Sequence, residues 1–210
     1  MAKIPFGILG PFFGKTGTVS GYSWKGIPVM RALRRESNKP PTEAQLQQRA
    51  KFGFTSTFLG GISTFIKTGF HGLAKGKTEF QCAMSYNMTH AISGARPNFK
   101  IHYEQVAVSR GQLPNVVLPE AKTEGSNLHI FWADNSGVGW AAAADKAIVV
   151  FYWPDINEWW AVRSDVQRAD CTIVVPVANR DNRHFHTWLS FISADGVTAD
   201  SVYTGELVMA

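Results

Sequence analysis

The pattern of apolar and polar positions changes character twice along the chain. Residues 16–23 (TGTVSGYS) and 27–34 (IPVMRALR) read as two short strands around Trp24-Lys25-Gly26, a turn containing glycine. Val19, Tyr22 and Trp24 supply an apolar side, and Gly10, Gly14, Gly17 and Gly21 permit sharp bends or close backbone approach. A ribbon of this size is marginal in water and needs something to lie against, in its own subunit or a neighbour. Beyond Pro40-Pro41, which blocks helix before Thr42, the period lengthens. Thr42-Glu43-Ala44-Gln45 is a capping box, and Leu46, Ala50, Phe54, Phe58, Ile62 and Phe65 follow helical spacing behind it. The spacing predicts a helix from Thr42 to about Phe58, which Gly60-Gly61 either carries or breaks. A second box, Thr78-Glu79-Phe80-Gln81, opens another helix with Phe80, Met84, Met88 and Ile92 in line and Gly94 and Pro97 at its end. Together they predict an antiparallel helix pair.

From about Phe99 the texture is that of strands. Seven runs rich in β-branched and aromatic residues recur: YEQVAVS, NLHIFWA, KAIVVFYW, EWWAVRS, CTIVVPV, FHTWLSFIS and SVYTGELVM. Turn-like pieces separate them, among them Asp134-Asn135-Ser136-Gly137, Asn179-Arg180-Asp181-Asn182 and Ala194-Asp195-Gly196. About seven strands in this length fit a β-sandwich of immunoglobulin type. In Ala147–Trp153 both alternating sets are apolar, so one face meets the sandwich core and the other calls for the helices, a neighbouring subunit or a ligand. Leu128-His129-Ile130-Phe131-Trp132 followed by a polar turn resembles the second strand of fibronectin type III domains, with Trp132 as the core tryptophan. FISADGVTADSVYTG resembles their last hairpin. The expected fold class is α+β: an N-terminal β-ribbon and helix pair over residues 1–98, then an all-β fibronectin- or immunoglobulin-like sandwich over 99–210.

Charge sharpens this division. Residues 1–100 carry 14 Lys/Arg against 3 Asp/Glu, and residues 101–210 carry 7 against 13, so the halves differ in sign. Such a split suits different partners for the two halves, or head-to-tail association of a basic half with another copy's acidic half. The 7 Trp and 14 Phe point to cores or interfaces built on rings. No run approaches the roughly 20 apolar residues of a membrane-spanning helix, and the N-terminus lacks the basic start and apolar stretch of an export signal. Cys82 and Cys171 are expected as free, buried thiols, and the chain as a product of a reducing cytoplasm.

Candidate chemistry narrows to one region. Gly14-Lys15-Thr16 is not a phosphate loop: the first glycine such a loop requires falls on Leu9, and neither a buried strand before it nor a helix after it is in view. His184 and His186 share one face of a strand, as metal ligands could, without a third donor at ligand spacing. No nucleophile signature and no marked carboxylate pair accompanies them, so neither catalysis nor a cofactor is expected. Phe151, Trp153, Trp159 and Trp160 are the residues an aromatic carbohydrate platform would use. The strongest constellation is basic and aromatic: Lys15, Trp24, Lys25, Arg31, Arg34, Arg35 and Arg49, with Lys39 and Lys51 nearby. Cations beside rings suit a protein interface, where Trp and Arg are frequent anchors, and they suit nucleic acid as well.

The N-terminal third also carries a resemblance. GPF-x-GK-x-G-x-V-x-G-x-x-WKG over residues 10–26, a basic strand, and then Pro40-x-Thr42-Glu43-Ala44-Gln45 with Arg49 and Phe52 resemble a family of uncharacterised bacterial proteins in which a sandwich-like half commonly follows. The latter segment is also similar to one recurring in phage virion proteins, with Lys39 standing where Asn is usual. The resemblance implies a non-enzymatic structural protein of a phage or phage-like particle. It would dock through its basic half onto copies of itself or neighbouring virion subunits. The alternatives are a nucleic-acid-binding protein and a carbohydrate-binding module. The expected location is a virion or the cytoplasm.

Overall fold

The computed structural model describes residues 2–7, 10–34, 39–177 and 183–208. The chain divides into two compact units, Met1–Thr42 and Glu43–Ala210.

The first unit is a three-stranded antiparallel ribbon of β1 (Gly14–Thr16), β2 (Val19–Trp24) and β3 (Ile27–Ala32), in the order β1-β2-β3. Lys25 and Gly26 join β2 to β3 with φ of 49° and 82°. Positive φ at both positions is the geometry of a two-residue hairpin turn whose twist matches its strands. Gly14–Thr16, ahead of the expected first strand at residues 16–23, is an edge strand and not a phosphate loop. A bridge between Lys3 and Phe13 folds the leading segment back, and Phe12 crosses the ribbon at Gly21, where a Cβ would stand 2.1 Å from the Phe12 carbonyl oxygen. Only glycine permits that approach.

The second unit has three layers. Helix α1 (Glu43–Gly60) breaks at Gly60-Gly61 and is followed by α2 (Ser63–Gly69), then α3 (Glu79–His90). The capping box at the start of α3 forms as expected: Gln81 N–H donates to Thr78 Oγ1 at 3.2 Å, and Thr78 N–H donates to Gln81 Oε1 at 3.0 Å. The helix stops at His90 rather than near Gly94. Ile92 instead opens a hairpin of β4 (Ile92–Ala95) and β5 (Asn98–Ile101), which Gln47 of α1 holds by accepting from Arg96 N–H at 2.8 Å.

Seven further strands build the sandwich: β6 (Val117–Glu124), β7 (Asn127–Ala133), β8 (Lys146–Trp153), β9 (Glu158–Gln167), β10 (Thr172–Pro176), β11 (His184–Ile192) and β12 (Val202–Val208). They form a three-stranded sheet ordered β10-β7-β6 and a four-stranded sheet ordered β12-β11-β8-β9, all antiparallel. This three-plus-four division is that of a fibronectin-like sandwich. Six of the seven expected strands are present. YEQVAVS is not one of them: Tyr103–Gln105 makes a 3-10 turn and the buried Val106, Ala107 and Val108 pack without a ladder. The missing strand is β6, disguised by Pro119 and by an irregular register between Val117 and Glu120, with Leu118 at φ 49°. The expected turn at residues 179–182 lies outside the described residues.

Strand β8 explains the division of the chain. Ala147, Val149, Phe151 and Trp153 enter the core between the sheets, while Ile148, Val150 and Tyr152 enter a second core beneath the helices. That second core joins Phe58, Leu59, Phe65, Ile66 and Met84 to Trp159 and Trp188, and Trp159 Nε1 donates to Phe58 O at 2.6 Å. The helices therefore belong with the sandwich. The expected boundary at residue 98 moves to residue 42, because the outer face of the four-stranded sheet is apolar and the helices are what bury it.

Candidate functional site

The register of the ribbon sorts its side chains into two faces. Lys15 pairs with Ser20 and Ser20 with Arg31, Tyr22 with Val29, and Trp24 with Ile27. Because paired residues share a face and alternate residues return to it, Lys15, Tyr22, Trp24, Ile27, Val29 and Arg31 stand on one side. The Arg31 guanidinium lies 6.0 Å from the Tyr22 ring centroid. Trp24 is 42% exposed and Ile27 64%. The opposite face carries Gly21, Pro28 and Met30, beneath which Gly10, Pro11 and Phe12 close an open pocket. Among its described residues the first unit buries no hydrophobic side chain, while Ile4, Phe6, Tyr22, Trp24, Ile27 and Met30 are all exposed. Residues 1–42 carry seven Lys/Arg against one Glu.

Of the residues singled out from the sequence, Lys15, Trp24, Lys25 and Arg31 are thus brought together on the ribbon and its turn. Arg34 follows β3 and is exposed. Arg35 lies outside the described residues. Arg49 is exposed on α1 and belongs to the second unit, so it is not part of the ribbon.

The other candidates resolve differently. Phe151 and Trp153 sit in the core between the sheets and Trp159 beneath the helices, leaving Trp160 alone exposed among the four ring residues of the carbohydrate platform. Four rings on one strand pair cannot form a flat platform when alternation sends them to different layers. His186 is buried, with its ring stacked on Tyr103 at 3.6 Å between centroids and its Nδ1 2.8 Å from the Tyr203 hydroxyl. Burial lowers its pKa, the neighbouring charge of Glu206 opposes this, and His184 adds to it. The hydroxyls of Tyr152 and Tyr203 are pushed up to about 12, chiefly by burial. His184 instead faces Glu206 at 3.2 Å. Cys82 and Cys171 are unpaired, as expected, but partly exposed rather than buried. No helix among the described residues is long and apolar enough to cross a membrane.

Sequence reasoning missed a further exposed tryptophan. Trp140, in the β7–β8 loop, is 86% exposed, and Val138 beside it is exposed as well. The loop is nonetheless firmly built. Ser136 N–H and hydroxyl both donate to Asp134, which lowers the Asp134 pKa, and Gly137 N–H donates to Ala141 O at 2.8 Å. At its base the fully buried Arg168 donates through Nε to Asp145 Oδ2 at 3.1 Å, through one terminal nitrogen to Asn135 Oδ1 at 2.6 Å, and through the other to Pro114 O at 3.1 Å. Burial lowers the Arg168 pKa and the Asp145 carboxylate counters it. Trp132 Nε1 donates to Arg168 O at 2.7 Å. The signal available in the sequence was a tryptophan directly after Gly137-Val138-Gly139, outside any strand period.

Comparison with known proteins adds little about chemistry. No curated protein matches the chain. Among solved structures it is similar to the fibronectin type III domain of the human collagen alpha-1(XX) chain, at 14% identity and a TM-score of 0.36, over 49% of this chain and 89% of that domain. The family model described as a family of unknown function, DUF6266, matches residues 11–205. That span covers the ribbon, the helices and the sandwich together, and the chain belongs to this family.

Proposed function

We propose that the chain is a non-enzymatic structural protein that docks through its N-terminal ribbon onto another protein subunit in a repeated assembly. The observation that carries this reading is the ribbon itself: a unit that buries no hydrophobic side chain among its described residues, holding Tyr22, Trp24 and Ile27 exposed on one face between Lys15 and Arg31. A three-stranded ribbon exposing its rings gains most by covering them, and Trp with Arg is the pairing on which interfaces concentrate their energy. The likeness of residues 39–52 to a segment recurring in phage virion proteins makes a phage or phage-like particle the assembly to look in.

The test is the mass of the full chain in solution by light scattering, with and without nuclease. A mass above that of a monomer, unchanged by nuclease and reduced to the monomer by Trp24→Ala or by removal of residues 1–42, supports the reading. The melting temperature should not move, because Trp24 is not part of a core. If Trp24→Ala instead lowers the melting temperature and leaves association unchanged, the ribbon is structural only. An assembly that dissolves with nuclease and binds nucleic acid with steep salt dependence makes backbone phosphates the partner.

A further inference from the structure

Trp140 is the most exposed large hydrophobic residue described, and the loop that holds it is one of the better anchored. A mobile loop could expose a ring without consequence. Here the buried Arg168–Asp145 pair, the Asn135 and Pro114 contacts and the hydrogen bond from Gly137 to Ala141 hold the backbone that carries the ring. Ordering of that kind removes the conformational cost of binding in advance. Beside Trp140 lies a pocket of about 260 Å³ lined by Gln112, Leu113, Trp140, Ser193, Asp195 and Val197. Its lining sets the apolar Leu113, Trp140 and Val197, with the polar Gln112 and Ser193, around one carboxylate, Asp195, which is exposed and forms no ion pair with any described residue within 4 Å. His71 and Lys75 line the adjoining pocket, which shares Gln112, Asp195 and Val197.

The ribbon ends in the complementary shape. At its turn Trp24 and Ile27 pair across the strands on one face, and Lys25 stands between them in sequence. An apolar–cation–apolar tip matches a pocket that sets apolar side chains around a carboxylate. The wider charge agrees: residues 1–42 are strongly basic, and residues 101–210, which hold Asp134, Asp195 and Trp140, are net acidic.

We infer that the Trp140 pocket is the acceptor for the ribbon tip of a second copy of this chain, with Trp24 and Ile27 against Trp140, Leu113 and Val197, and Lys25 against Asp195. The inference rests on the docking role proposed for the ribbon and names its partner. Tip and acceptor are different surfaces, so the contact is head-to-tail, satisfied either by reciprocal exchange of tips in a two-fold dimer or by propagation into a ring or filament.

The test uses two full-length variants that each lose one side of the contact. Trp24→Ala keeps the acceptor, and Trp140→Ala keeps the tip. Each alone should associate at least about 30-fold more weakly than the wild type, the loss expected for a buried ring anchor. An equimolar mixture of the two should form a one-to-one pair and go no further, read by sedimentation velocity. Lys25→Glu and Asp195→Lys should each weaken association, and the two combined in one chain should restore most of it. Circular dichroism melts of every variant confirm folding; the exposed Trp140 should leave the melting temperature where it was. If Trp24→Ala dissociates the assembly while Trp140→Ala does not, the acceptor is elsewhere and only this inference falls. If both single variants dissociate yet the mixture stays monomeric, the contact is not head-to-tail and the inference falls. If neither variant alters association, the ribbon reading falls with it.

Discussion

Removing the helices should unfold the sandwich, although it contains all seven strands. The perturbation is a fragment of residues 99–210, compared with residues 43–210. On the outer face of the four-stranded sheet Ile148, Val150, Tyr152, Trp159 and Trp188 are buried in the core they share with α1, α2 and α3. Burying one such side chain contributes roughly 1.5–3 kcal/mol, so uncovering five costs about 7–15 kcal/mol, an upper figure because a real unfolded chain already buries part of this surface. Hydrogen bonds go as well: Trp159 Nε1 loses Phe58 O, and Ala107 N–H loses Asn87 Oδ1 at 3.0 Å. The loss matches the whole stability of an ordinary domain, about 5–15 kcal/mol. Circular dichroism should therefore give a cooperative melt for 43–210 and none for 99–210, and the shorter fragment should bind a hydrophobic dye. A cooperative melt of 99–210 within about 5 °C of the longer fragment corresponds to only ~1–2 kcal/mol, and would refute the shared-core argument.

Three further outcomes follow from single contacts. Asp145→Ala leaves the buried Arg168 charge without its carboxylate and should cost about 3–5 kcal/mol by urea denaturation, whereas replacing both residues by apolar ones of similar volume should recover much of the loss. Thr78→Ala removes the acceptor for Gln81 N–H at the start of α3 and should cost about 1 kcal/mol in the same assay. Burial holds the folded pKa of His186 below its unfolded value of about 6.5, so the unfolded chain binds the extra proton. The contribution of this histidine is intact above about pH 6.5 and is lost as pH falls from there through the lowered folded value. Stability should drop more steeply over that range for the wild type than for His186→Gln, and equal slopes would show that the ring does not titrate against the fold.

How much of this was legible depended on which layer a residue serves. The capping box of α3, strands β7 and β8, and the ribbon with its Lys25-Gly26 turn depend on short-range chemistry, and the pattern of neighbours was enough to read them. Strand β6 was not legible because Pro119 and an irregular register between Val117 and Glu120 disguise it, and it is held by antiparallel pairing with the next strand, β7, through the turn at Gly125-Ser126. The doubly apolar β8 announced that something must cover its outer face. Only the three-dimensional arrangement chooses among helices, neighbour and ligand, since Phe58 and Trp159 lie 101 residues apart. The domain boundary shifted for the same reason. For the candidate site, the basic and aromatic composition of the ribbon was visible, but its sidedness comes from register, and Arg49, though near in sequence, belongs to the second unit.

The tryptophans carry the argument one step further. Of the seven, Trp132, Trp153, Trp159 and Trp188 are buried, which accounts for them as core. Trp24, Trp140 and Trp160 are exposed, and stability does not explain them. Trp160 lies 5.3 Å from the Phe151 ring, a packing contact at the edge of the sandwich. Trp24 and Trp140 remain, one beside a lysine at the tip of a basic ribbon and the other beside an aspartate on a firmly held loop. A chain that merely tolerated exposed rings would scatter them. Here each stands in a defined backbone setting next to a charge of the sign opposite to the other's, which is the pairing that the proposed contact between copies requires.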